Sequence, residues 1–146
     1  METIVVGVDG SNGAGKALEV AAREAALRGA RLSIVSAWDI APTVYGGGFV
    51  VGVDESVRDS FRAGAEKVVR DAIAEVARLQ PAVRCGGQAL EGRPAEILLA
   101  QAEDASLIVV GNRGHGGFSS LLLGSVSQQV VHHAPCPVLV VREPSS

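Results

Sequence analysis

Gly111-Asn112-Arg113-Gly114, followed after nine residues by Gly124-Ser125-Val126-Ser127, joins a β-branched run to a segment of helical period. Glycines at those positions let the backbone approach a ligand that a Cβ would block. The first amides of the following helix lack intrahelical acceptors and collectively carry about half a positive charge, so they can receive phosphate oxygens. Ser125 and Ser127 add hydroxyls, and Arg113 and His115 add donor groups. From the residues alone, a surface loop before an N-capped helix remains an alternative.

A second stretch, Gly10-Ser11-Asn12-Gly13-Ala14-Gly15-Lys16, matches GxxxxGK between a strand and a helix, the pattern of a Walker A loop. Ala17 occupies the position whose hydroxyl would hold Mg²⁺. A P-loop NTPase using Lys16, with Asp39 after IVSAW as a Walker-B-like acidic residue, is therefore one alternative; a plain turn leading to a solvated helix is the other. His132 and His133, adjacent on a helix, point about 100° apart and do not converge on one metal. Cys85 and Cys136 have no metal or redox spacing. No carboxylate among Asp9, Asp39, Glu91 and Asp104 has an evident catalytic partner, and no GxSxG elbow occurs.

The elements that must position these residues alternate along the chain. Thr3 to Val8 reads as a strand, about Gly13 to Arg28 as a helix stopped by Gly29, and Leu32 to Trp38 as a second strand. Residues 40 to 53, with Pro42 and Gly46-Gly47-Gly48, read as a mobile loop. Val57, Phe61, Ala65, Val68, Val69, Ala72, Val76 and Leu79 form one helical stripe. Ala82 to Leu90 is a weaker strand, and Pro94 opens a third helix. Leu107 to Val110 and Val138 to Val141 are buried-type strands separated by the glycine-rich segment and a short helix.

This βαβαβαβαβ order predicts one α/β domain over residues 1–146: a doubly wound, Rossmann-like, five-stranded parallel sheet with helices on both faces. Hydrophobic residues are 47% of the chain and aromatics 3%, which suits a Val, Leu, Ile and Ala core. A net charge of −3 excludes general affinity for nucleic acid. No apolar run reaches the ~20 residues of a membrane span, and no export signal opens the chain, so a cytoplasmic protein is expected.

VGVDGS at the first strand exit, EGRPAEIL at the third helix, LIVVGNRG and the closing GSVSQQVVHHAPCPVLVV make the chain similar to the universal stress protein family. Its nucleotide-binding members carry G-x2-G-x9-G-[ST]. The resemblance implies strand order 3-2-1-4-5 and ATP as ligand, with Mg²⁺ accompanying it. Asp9 and Val8 would meet the adenosine end, Ala37 the adenine, and Val110 and Gly111 the adenine and ribose. Arg113, Gly114, Gly124, Ser125, Val126 and Ser127 would surround the phosphates. Asn112 departs from the common Ser, and Ala37 from the usual Val. The resemblance further implies a homodimer through Val138–Val141 and a regulatory protein with an unidentified protein partner. Turnover would be absent or slow, with Ser119 or Ser120 as candidate self-phosphorylation positions. A module that binds no nucleotide is the remaining alternative.

Overall fold

The computed structural model describes residues 1–39, 44–45, 49–50, 55–113 and 123–143. Strands β1 (Thr3–Gly7) and β2 (Arg31–Trp38) flank helix α1 (Asn12–Arg28). A two-plus-two antiparallel hairpin, β3 (Val44–Tyr45) with β4 (Phe49–Val50), precedes helix α2 (Glu55–Leu79). The chain continues through β5 (Cys85–Glu91), α3 (Pro94–Gln101), β6 (Leu107–Gly111), α4 (Ser125–His133) and β7 (Val138–Val141).

The main sheet is parallel with order β5-β2-β1-β6-β7, which is 3-2-1-4-5 when its own five strands are counted. Among the described residues the β3–β4 pair is an addition to the expected elements: residues 40–53 had no strand signal, because two pairs of residues are too few to set up an alternation. Gly46, Gly47 and Gly48 lie outside the described residues.

Strand alternation divides the core in two. Ile4, Val6, Leu32, Ile34 and Val109 point to α1 and α2, where Ala17, Ala21, Ala22 and Ala25 let the helix approach closely. Val5, Val35, Ile108 and Val110 point to α3 and α4, meeting Leu98, Ala102 and Val130. The central strands are apolar on both sides because both sides are covered. Gly29 ends α1 in the left-handed region at φ 63°, and Pro94 opens α3, as the sequence predicts.

The α2 stripe is only partly buried. Ala65, Val69, Ala72 and Val76 are in the core, whereas Val57 and Phe61 are 42% and 49% exposed. The helix start is instead anchored by two guanidiniums over the Trp38 ring, Arg58 at 5.8 Å and Arg62 at 5.4 Å, and by an Arg58–Glu91 ion pair.

Candidate functional site

The chain winds outward from β1 in one direction through β2 and β5, then crosses to the other side through β6 and β7. The strand order therefore reverses between β1 and β6. Ligands of doubly wound sheets occupy the crevice beyond the strands' carboxyl ends at such a reversal. Ala37 near the end of β2, Val8 with Asp9 just after β1, and Val110 with Gly111 at the end of β6 stand at the carboxyl ends of three adjacent strands. The topology thus collects residues read separately from the sequence.

Val8 is buried on the α1–α2 side and Val110 on the α3–α4 side, so they border the reversal from opposite faces. Ala37 is half-buried and Asp9 exposed. An Asp9 carboxylate oxygen accepts the Ser11 amide at 2.9 Å, a local turn that sets the β1 exit, where Gly10 has φ 85°. Ser11 then caps α1 by accepting the Ala14 amide at 3.2 Å.

This cap decides how Gly10 to Lys16 is used. Asn12 through Lys16 are already helical, which leaves no loop to wrap a phosphate. Lys16 lies on the exposed helix face and pairs with Glu19 at 3.3 Å. Gly13 serves packing: a Cβ there would lie 2.8 Å from the Arg113 carbonyl oxygen. A Cβ on Gly111 would in turn lie 3.0 Å from the Gly13 carbonyl. The first turn of α1 thus presses against the β6 exit through two glycines.

At that exit Asn112 is 4% exposed. Its carbonyl accepts the Gly124 amide at 2.6 Å and the Ser127 hydroxyl at 3.0 Å, drawing the start of α4 to the end of β6. The Ser127 hydroxyl has the Gly124 carbonyl as a second acceptor at 3.1 Å, so it is engaged internally, like the Gly124 amide. Among the described residues no side chain caps α4, whose first-turn amides belong to Ser125, Val126 and Ser127. Ser125 is exposed and Val126 half-buried. Arg113 is half-buried, and its buried Nε has no hydrogen-bond partner. A buried donor left unmade costs about 1–3 kcal/mol, so this position favours an incoming acceptor.

An orphaned guanidinium N–H and an uncapped helix start on one edge fit an anion. Among the described residues, no cluster of three or more His, Cys, Asp or Glu side chains could hold a metal. Gly114, His115, Ser119 and Ser120 lie outside the described residues. Sequence reasoning missed the packing role of Gly13 and the junction at Asn112. Gly13 stood at an unspecified position of the GxxxxGK match, and nothing in the sequence shows what faces it.

Fold and strand order together define a doubly wound α/β protein whose strand order reverses between β1 and β6. The family model described as the Universal stress protein family matches residues 1–142. A Thermus aquaticus protein described as the universal stress protein in the QAH/OAS sulfhydrylase 3' region is 44% identical over 143 residues, covering 97% of this chain and 98% of that one. The chain belongs to the universal stress protein family.

A Mycobacterium tuberculosis member is 34% identical over 141 residues, and the match covers 96% of this chain but 45% of that protein. Among solved structures, the universal stress protein UspA from Lactobacillus plantarum superposes with a TM-score of 0.82 at 28% identity, covering 97% of each chain. A universal stress protein in complex with cAMP gives 0.73 at 27% identity, covering 98% of each. An Archaeoglobus fulgidus member in complex with dAMP gives 0.69 at 25%, covering 97% of this chain and 98% of that one.

Proposed function

We propose that this protein is a cytoplasmic stress-response regulator that holds ATP, with Mg²⁺ alongside, on the segment from Gly111 to Ser127. Val8, Asp9, Ala37 and Val110 border the adenosine end. Arg113, Gly114 and the α4 start, with Gly124, Ser125, Val126 and Ser127, receive the phosphates. The observation that carries the reading is the buried, unpartnered Arg113 Nε, one residue beyond the Asn112 carbonyl that holds the start of α4, a start that no side chain among the described residues caps. Two family structures with adenine nucleotides support the same class of ligand. Mg²⁺ would be coordinated by the phosphates and water, since no cluster of three or more potential ligands stands among the described residues.

Turnover is slow or absent in this reading. Phosphoryl transfer needs an in-line nucleophile and a charge-stabilising group placed together, and only the cradle has been identified. ATP instead alters a surface that a protein partner reads. The protein also pairs with a second copy through the outer edge of β7.

Thermal unfolding with and without Mg-ATP tests the nucleotide site. At a hundredfold excess over Kd, ligand adds about 2.7 kcal/mol, a rise of roughly 5 to 10 °C for a domain of this size. Arg113→Ala should lose most of that rise and Lys16→Ala keep it. No rise at millimolar ATP would leave a module that binds no nucleotide; loss of the rise in Lys16→Ala alone would restore the P-loop reading.

A further inference from the structure

Among the described residues three polar ones are buried in the core, Ser36, Asn112 and Ser127, and two of them are bonded to each other where β6 meets α4. Burying an amide side chain costs free energy unless its groups are paired. Asn112 is paired in a way that crosses elements. Its amide donates to the Val141 carbonyl at 2.9 Å, the last residue of β7. Its side-chain Oδ1 accepts the Glu143 amide at 3.2 Å, fixing the chain just beyond β7. Its carbonyl, as described, holds Gly124 and Ser127 at the start of α4. The end of β6, the start of α4 and the end of β7 thus meet on one residue.

We infer that Asn112 is a positioning residue that couples the nucleotide cradle to the end of the sheet's edge strand, so that filling the cradle tightens the Glu143 tie and cutting that tie loosens the cradle. The inference rests on the nucleotide reading above. Its physical content is that the bonds share one buried residue, whose main chain and side chain have little room to move independently. A phosphate drawn to the α4 amides holds Gly124 and Ser127 against the Asn112 carbonyl. The fixed peptide then holds Oδ1 in place for Glu143. Reciprocity follows, since a coupling free energy acts equally in both directions.

The side chain and main chain of Asn112 are separable by substitution. Asn112→Ala keeps the carbonyl bonds to Gly124 and Ser127 and the amide bond to Val141, but removes the acceptor for Glu143. Asn112→Asp keeps an acceptor oxygen of the same reach. The experiment is amide hydrogen exchange at Glu143 with and without saturating Mg-ATP, alongside calorimetric ATP binding, on the full chain and both variants. In the unsubstituted protein, ATP should slow Glu143 exchange several-fold. Asn112→Ala should abolish that difference and weaken ATP binding roughly five- to tenfold, the worth of one neutral hydrogen bond. Asn112→Asp should restore the ATP-dependent protection, whatever its added charge does to affinity.

ATP binding that leaves Glu143 exchange unchanged, or protection that persists in Asn112→Ala, overturns the coupling while the nucleotide site stands. Absence of ATP binding to the unsubstituted protein overturns the nucleotide reading, and the coupling with it. Asn112→Ser, too short for the Glu143 amide but still polar, replaces Asn112→Ala if the alanine variant fails to unfold cooperatively; the same outcomes then apply.

Discussion

Gly13 and Gly15 stand two positions apart on the first turns of α1, yet they face different surroundings. A Cβ at Gly13 would collide with a backbone carbonyl at 2.8 Å, whereas nothing lies within 4 Å of one at Gly15. Gly13→Ala should therefore destabilise the protein by about 1–3 kcal/mol through overpacking against the β6 exit. Gly15→Ala should stabilise it by about 0.5–1 kcal/mol by removing a flexible residue from an exposed helix. Urea unfolding of both variants checks the pair, and equal shifts would refute the assignment. The thiols are equally local. Burial pushes the Cys85 thiol up, and does the same at Cys136, where a hydrogen bond with the Ile108 backbone partly offsets it. A raised pKa leaves less thiolate near pH 8, so both should alkylate more slowly than a free cysteine in timed labelling read by mass spectrometry.

At the scale of elements, α2 has two regimes. From Ala65 to Val76 it is held by apolar packing at helical spacing. Its first turns are held by Arg58 and Arg62 over Trp38, and by Glu91. Such stacking contributes about 0.5–1 kcal/mol at partly exposed sites. Arg62→Ala should lower stability by that amount and shift Trp38 emission, which is readable because the chain has a single tryptophan. Unchanged emission would mean that the stack does not hold α2 in solution. The stripe predicted over α2 was correct in spacing but not in extent, because periodicity marks a face and cannot say where the sheet beneath it ends.

At the scale of the molecule, β5 and β7 are the two open edges of the sheet. Cys85, on β5, and Cys136, just before β7, stand toward opposite edges, and both are free. Every residue of Val138–Val141 is apolar and half-buried, an edge that invites pairing. The Pro137 and Val141 carbonyls face β6, so strand alternation turns the amide and carbonyl of Val140 outward. Val140→Pro removes an outward donor without breaking the β6–β7 ladder. Sedimentation at micromolar concentration should find a dimer for the unsubstituted protein and a monomer for Val140→Pro. A monomer in both would remove the proposed β7 pairing.

The sequence by itself determined the alternation of strands and helices, the parallel α/β class, the Gly29 and Pro94 boundaries, and the resemblance that ordered the strands. These are local or periodic properties, and apolar spacing records them directly. It also singled out the Gly111 to Ser127 segment as a place where an anion could rest. The resemblance already implied that the stretch after Gly10-Ser11 opens helix one; only the tertiary structure gave the contacts that hold it there. The α1 cap at Ser11 turned the Walker-like stretch into helix, and packing gave Gly13 to the Arg113 carbonyl. Likewise only the fold brought Val141 and Glu143 to Asn112, residues far along the chain that meet because β7 lies beside β6. Contacts of that kind depend on register and close approach between elements, and no spacing within one element encodes them.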